Sequence, residues 1–135
     1  MDFLPITSII AATLALIMFV LTLMVSLARI NLGKAEGDIA KYPTDDGNNE
    51  SLKRRIATFR NFTEYVPMSL IMLALIENNG ASSTLVWGLG IAFIIGRLLH
   101  ATGMLINPHF PFPRIIGMFA TYAILLVPAV WLLTI

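Results

Sequence analysis

The chain contains no cysteine. That excludes a disulfide framework, thiolate metal ligation and a cysteine nucleophile, so any sulfur chemistry has to arrive with a ligand. Charge is scarce as well: Asp, Glu, Lys and Arg make up 13% of 135 residues, where about 25% is ordinary for a soluble domain. Histidine occurs only at His100 and His109, and neither has a partner at metal-ligand spacing, so no metal site is expected. No basic n-region precedes the first apolar run, which is too long for a signal-peptide core and reads as a permanent membrane helix.

What the chain has in excess is apolar surface, 57% of its residues. Residues 3–28 carry no charge and, at about 1.5 Å per residue, span a roughly 30 Å hydrocarbon core, so a first helix is expected over about 3–30. Residues 31–50 are polar, with three glycines and mixed charges, and read as a solvated loop without chemistry of its own. A second helix is expected over about 51–78, capped by Ser51 or Asn49 and closed by Glu77-Asn78-Asn79-Gly80, with Gly80 just past its end. Ser82 or Ser83 can cap a third over about 83–106. Residues 107–113 hold three prolines and read as a non-helical connection, with His109 solvated in it. A fourth helix follows over about 114–134. The expected fold is all-α, an integral membrane four-helix bundle in one domain spanning 1–135, with lipid as its surroundings and no nucleic-acid partner.

All nine basic residues fall at one level: Arg29, Lys34, Lys41, Lys53, Arg54, Arg55 and Arg60 around the first loop, Arg97 and Arg114 around the third. The positive-inside rule places both loops in the cytoplasm and both termini on the other side.

The segment Arg60-Asn61-Phe62-Thr63-Glu64-Tyr65 opens the apolar part of the second helix with a polar face. Arg60 and Glu64 stand at i,i+4, and Asn61 neighbours Glu64 and Tyr65. Ionisable groups at membrane depth are costly and commonly mark a site. Counting from the turn between the second and third helices, Glu64 and Arg97 are each 13 residues in, roughly 20 Å, so they are expected as a pair. Asn61 and His100 share the next level. One reading is a structural Glu64–Arg97 pair that fixes helix packing. The other is a polar pocket for an anionic ligand, because Arg29, Arg54, Arg60, Arg97 and Arg114 exceed what Glu64 can neutralise, and arginine forks suit carboxylates. His100 taken alone reads as a helix-packing histidine.

The motifs Asn61-x-x-Glu64-Tyr65-x-Pro67, Glu77-x-Asn79-Gly80-Ala81, Gly96-Arg97-x-x-His100-Ala101-x-Gly103 and Arg114-x-x-Gly117-Met118-x-x-Thr121 together resemble the MAPEG superfamily, the membrane-associated proteins of eicosanoid and glutathione metabolism, and its bacterial branch above all. The resemblance implies a homotrimer of four-helix subunits in a bacterial inner membrane, with glutathione as co-substrate between neighbouring subunits near the cytoplasmic face. It implies that Asn61, Glu64 and Tyr65 contact glutathione, with Arg97, His100, Arg29 and Arg60 beside them. It further implies that Arg114 stabilises the thiolate. The expected activity is a glutathione-dependent transferase or peroxidase acting on lipophilic electrophiles or hydroperoxides delivered from the bilayer.

Two positions depart from the catalytic members. Ala57 stands where many carry an arginine, and Met104 where eicosanoid enzymes often carry a tyrosine. These substitutions favour the alternative of a non-catalytic membrane protein that binds lipid or a partner. A small drug-exporter-like transporter is disfavoured, because such proteins carry a carboxylate in the first helix and residues 3–28 have none.

Overall fold

A computed structural model describes residues 3–44, 46–106 and 111–135. They form four helices, α1 (Pro5–Ala35), α2 (Glu50–Asn78), α3 (Ser83–Leu105) and α4 (Phe112–Thr134), with no strand among the described residues. α3 packs most extensively on α4; α2 touches all three other helices, while α1 and α4 do not meet. The order across the bundle is therefore α1, then α2 and α3, then α4. The core runs along the α2–α3 seam through Phe62, Val66, Leu73, Ile76, Val86 and Phe93, joined by Ile10 and Leu14 from α1 and Ile124 from α4.

One close crossing, of α3 and α4, fixes this arrangement. A Cβ on Gly96 would collide with the Cβ of Ala120, and one on Gly117 would collide with the Gly96 carbonyl and the backbone of His100. Glycine at both positions lets α3 and α4 approach backbone to backbone, as small residues do in membrane bundles. The opposite faces remain apolar and exposed: Leu16, Phe19, Val20, Leu23 and Leu27 on α1, Ile91 and Ile95 on α3, Phe119, Leu126 and Val130 on α4. In a soluble protein, apolar exposure of this extent would be anomalous; against lipid tails it is the expected outer surface.

α1, α3 and α4 are long and apolar enough to cross a membrane. α2 is not, although it is the second longest helix, because its first half carries Glu50, Lys53, Arg54, Arg55, Arg60 and Glu64. Its apolar part, residues 65–76, measures only about 18 Å. α2 packs against all three other helices.

The caps follow the residue types. Asn49 Oδ1 accepts from Leu52 N at 3.0 Å to start α2, and Ser82 Oγ accepts from Leu85 N at 3.3 Å to start α3. α2 ends in a Schellman turn: Ala81 N donates to Ile76 O (3.0 Å), Gly80 N donates to Glu77 O (3.2 Å), and Gly80 takes a φ of +85°. The turn residue anticipated from sequence is therefore in place. Glu77 does more than mark that stop. Its carboxylate reaches across to α1 and accepts from Ile6 N (2.9 Å) and Thr7 N (2.8 Å), capping a helix whose own N-cap, Leu4, offers no side-chain acceptor.

Two boundaries differ from expectation. α1 continues to Ala35 rather than ending near 30. Asn31 and Gly33 cost only roughly 1 kcal/mol each in a helix, Lys34 in the last turn suits the helix dipole, and Gly33 is buried against the carbonyls of Asp38 and Ile39. α4 begins at Phe112, so Pro113 is helical after all; in the first turn a missing N–H breaks no hydrogen bond. The expectation for His109 falls outside the described residues. The first loop is more ordered than a merely solvated segment. Tyr42 is buried and donates to Glu36 Oε2 (2.6 Å), and Lys41 meets the same oxygen.

Candidate functional site

The polar face at the entrance of α2 lines a cavity. Arg60, Asn61 and Glu64, at helical spacings i, i+1 and i+4, supply one wall, with Ala57 a turn earlier. His100 and Met104 come from α3, again one turn apart, and Arg114, Met118 and Tyr122 from α4 at i, i+4 and i+8. The enclosed space is about 470 Å³, within the roughly 300–1,000 Å³ of small-ligand sites. Arg60, Glu64, Arg114 and Tyr122 are exposed, so the cavity opens on the outer surface of the bundle. Two guanidinium groups against one carboxylate leave its lining net positive, and the chemistry favours an anion that also carries a cationic group for Glu64.

Arg97 lies behind Asn61 and does not itself line the cavity. Its side chain is 1% exposed, and its donors are directed by the bundle: Nη1 to Asn61 Oδ1 (3.0 Å), Nη2 to Thr121 Oγ1 (2.5 Å) and the Gly117 carbonyl (3.3 Å). The guanidinium also lies 5.6 Å from the centroid of the Phe93 ring and 5.9 Å from that of Tyr65, within cation–π range. Arg97 lacks any acceptor, so Asn61 must turn its oxygen toward it. The two amide N–H groups of Asn61 then have no protein acceptor among the described residues, and they are left for a ligand or water.

Glu64 and Arg97, expected as a pair at equal depth, are not paired. Arg97 is held by Asn61, Thr121 and Gly117, whereas Glu64 lies 3.7 Å from Arg60 at the exposed rim. The physical reason is desolvation. Burying a carboxylate costs several kcal/mol even when it is paired. A neutral amide, a hydroxyl and a carbonyl accept from Nη1 and Nη2 without that cost, while the buried Nε has no hydrogen-bond partner among the described residues. Glu64 finds its counter-ion one turn away in partial contact with water.

Of the residues singled out from sequence, Arg60, Asn61, Glu64, His100 and Arg114 converge on the cavity. Tyr65 stacks on Arg97 behind the wall and does not line it. Arg29 lies elsewhere: its Nη1 donates to Pro43 O at 3.0 Å, and it borders a smaller groove with Thr22, Val25, Ser26, Ile56 and Phe59. Thr121 and Tyr122 were not anticipated as site residues. The i,i+4,i+8 spacing of Arg114, Met118 and Tyr122 is a signal that could have found the second. Thr121 as an arginine acceptor is visible only once α3 and α4 are paired.

Fold and site together define a helical integral membrane protein with a cationic cavity at the surface of its bundle. The chain belongs to the MAPEG family, which it matches over residues 7–134. It is similar to the inner membrane protein YecN of Escherichia coli strain K12, with 34% identity over 58 residues, covering 43% of this chain and 44% of that protein. The YecN protein of Escherichia coli O6:H1 matches with the same figures. The chain thus spans under half the length of these curated relatives. No solved structure matches it.

Proposed function

We propose that the cavity binds glutathione and that the protein is a membrane-bound glutathione-dependent transferase or peroxidase for lipophilic electrophiles or hydroperoxides. The observation that carries this reading is the convergence of Arg60, Asn61, Glu64, His100 and Arg114 from three helices on one 470 Å³ cavity. Glutathione carries two carboxylates and one ammonium, and the lining matches that set. Arg60 and Arg114 suit the carboxylates, Glu64 suits the ammonium, and the amide donors of Asn61 suit a carboxylate or peptide carbonyl. Arg97 is a positioning residue, since it acts through Asn61. Bound there, glutathione supplies a thiolate that displaces a leaving group from an electrophilic carbon, forming a C–S bond, or attacks the terminal oxygen of a hydroperoxide, releasing the alcohol and leaving a sulfenic acid that a second glutathione converts to the disulfide and water. Arg114 would stabilise negative charge on that sulfur, the kind of preorganised electrostatic contribution that is lost with a single donor. Ile115 and Phe119 line an adjoining groove that shares Arg114, Met118 and Tyr122 with the cavity, a route by which a substrate would enter from the bilayer.

The exposed outer rim also supports a homotrimer in which a second copy closes the site. Arg29, remote from the cavity of its own chain, would then contact glutathione only from a neighbour. The basic first loop supports a cytoplasmic placement with both termini on the far side, and the similarity to YecN supports the inner membrane. Ala57 and Met104 in the cavity wall support a second reading, a non-catalytic member that holds a lipid or a partner in the same cleft.

Titration of the detergent-solubilised protein with glutathione separates the two. Millimolar glutathione should raise the melting temperature, and Glu64→Gln should abolish most of that shift. Arg114→Ala should cut turnover of a chlorinated aromatic by roughly 10²-fold or more. If wild type neither binds glutathione nor turns over, the enzyme reading fails. Copurifying lipid in the cleft would then favour the second reading.

A further inference from the structure

A separate cavity of about 270 Å³ lies where α1 meets the start of α2 and the end of α3, lined by Met24, Ser51, Arg54, Arg55, Leu105 and Ile106. Its composition is divided. Met24, Leu105 and Ile106 make an apolar wall, and Arg54 and Arg55 bring two adjacent guanidinium groups to the other side. Met24 lies four residues inside the end of the uncharged stretch 3–28, about 6 Å along the helix. The cavity therefore sits at the boundary between hydrocarbon and headgroup.

Apart from Arg29, whose Nη1 also meets a backbone carbonyl, Pro43 O at 3.0 Å, the other basic side chains with recorded partners are unlike these two arginines. Lys41 pairs with Glu36, Lys53 with Glu50 and Arg60 with Glu64, and Arg97 is held by three oxygen acceptors. Arg54 and Arg55 have no carboxylate partner among the described residues. Each makes a single long contact to a backbone carbonyl, Arg54 Nε to Glu50 O at 3.4 Å and Arg55 Nη1 to Met24 O at 3.4 Å, beyond the usual 2.7–3.2 Å. Both are half-buried, so water compensates their charge only in part. An anion on this wall would relieve their mutual repulsion and accept from the donors left over. The apolar wall opposite selects an anion attached to something greasy.

We propose that this cavity is a discrete binding site for the headgroup phosphate of an anionic phospholipid. The Arg54 and Arg55 forks grip the phosphate, Ser51 supplies a hydroxyl, and the glycerol and first methylenes lie along Met24, Leu105 and Ile106. The inference rests on the protein being in a membrane and is independent of glutathione, which is assigned to a different cavity with different residues.

The test is lipid titration of delipidated full-length protein, read by native mass spectrometry. Phosphatidylglycerol should bind saturably at one high-affinity site per chain, and phosphatidylcholine should not. The Arg54→Gln/Arg55→Gln double variant should weaken that site by roughly thirtyfold, the expectation for two arginines near a membrane surface. Arg54→Lys/Arg55→Lys keeps the charge and removes the forks, so it should also weaken the site, and it guards against misfolding of the neutral variant. Lys34→Gln/Lys41→Gln removes equal charge from the end of α1 and the first loop, outside the cavity, and should leave the site intact. Equal loss in the lysine variant, full retention in Arg54→Lys/Arg55→Lys, or equal binding of phosphatidylcholine would each reduce the effect to general surface charge and overturn the proposal. Displacement of the lipid by inorganic phosphate alone at millimolar concentration would identify a free-phosphate site and overturn it as well. Glutathione binding is measured in the same samples, so failure here leaves the other site's test unaffected.

Discussion

Removing the Glu77 carboxylate should destabilise the protein from the far end of α1. The first turn of a helix leaves backbone N–H groups without intrahelical partners, and here each can be followed. Pro5 has no N–H, Ser8 N donates to Leu4 O at 2.9 Å, and the two that remain, Ile6 N and Thr7 N, both donate to Glu77. Ile6 and Thr7 are buried, so water cannot replace the carboxylate freely. A hydrogen bond to a charged group contributes about 1.5–3 kcal/mol, so losing two of them in Glu77→Ala should cost about 3 kcal/mol when some hydration of the chain end is allowed. Gln at this position can accept from one N–H but turns its NH₂ toward the other donor, so Glu77→Gln should retain half at most. For a chain of this size about 3 kcal/mol corresponds to a fall in melting temperature of roughly 10 °C. The assay is thermal unfolding in detergent, with the exposed neighbour Asn78→Ala as control. If Glu77→Ala melts within about 2 °C of wild type, too small a shift for even one lost hydrogen bond, the cap carries no stability and the reasoning is wrong.

Gly117→Ala should cost about 1–3 kcal/mol through overpacking, because its methyl meets the Gly96 carbonyl and the His100 backbone rather than a flexible side chain; unchanged melting would show that α3 and α4 can separate freely. The Glu36–Lys41–Tyr42 cluster should respond to pH at both ends. Hydrogen bonds from Lys41, first, and from Tyr42 hold the Glu36 carboxyl below its ordinary 4.5, so its contribution to loop order is complete above that value and is lost as pH falls through the lowered pKa. Lys41 is raised above 10.5, chiefly by its hydrogen bond to Glu36, so its contribution is complete below that value and is lost as pH rises through the raised one. Amide exchange across residues 36–42, taken relative to the intrinsic rate at each pH, should therefore be slow at neutral pH and faster in acid. In Glu36→Gln it should be fast throughout, and a pH-independent wild-type loop would refute the cluster.

Much of the fold could be read from the chain because a membrane helix declares itself by length and by the lack of charge, and because Asn49, Gly80 and Ser82 each act through local geometry. The misplaced boundaries share a cause. Asn31, Gly33 and Pro113 are weak or absent helix formers judged singly. Their cost, however, is small beside packing that the sequence does not display: Gly33 buried on the Asp38 and Ile39 carbonyls, and Pro113 starting a helix that crosses α3. The same limit hid the role of Glu77. A carboxylate next to Asn-Asn-Gly has the pattern of a helix stop, and it is that as well. Its second role requires the N-terminus of α1 to lie beside the C-terminus of α2, a relation between residues about 70 apart.

The candidate site shows the limit of depth counting more sharply. Equal depth put Glu64 opposite Arg97, but the α2 side chains that meet Arg97 are Asn61 and Tyr65. What decides the partner is the cost of taking each group out of water. Arg97 cannot leave the interior, so it recruits neutral acceptors at that depth, and two of them, Gly117 and Thr121, belong to a helix that a hairpin argument leaves out. Glu64 can leave, and pairs with Arg60 at the rim. The outcome is better for ligand binding than the expected pair would have been. A Glu64–Arg97 bridge would have consumed the one carboxylate that faces the cavity and left Asn61 free to present either end of its amide. With Arg97 fixed on Asn61, the amide orientation is set before a ligand arrives, and Glu64 keeps accepting capacity that a 3.7 Å contact with Arg60 does not exhaust.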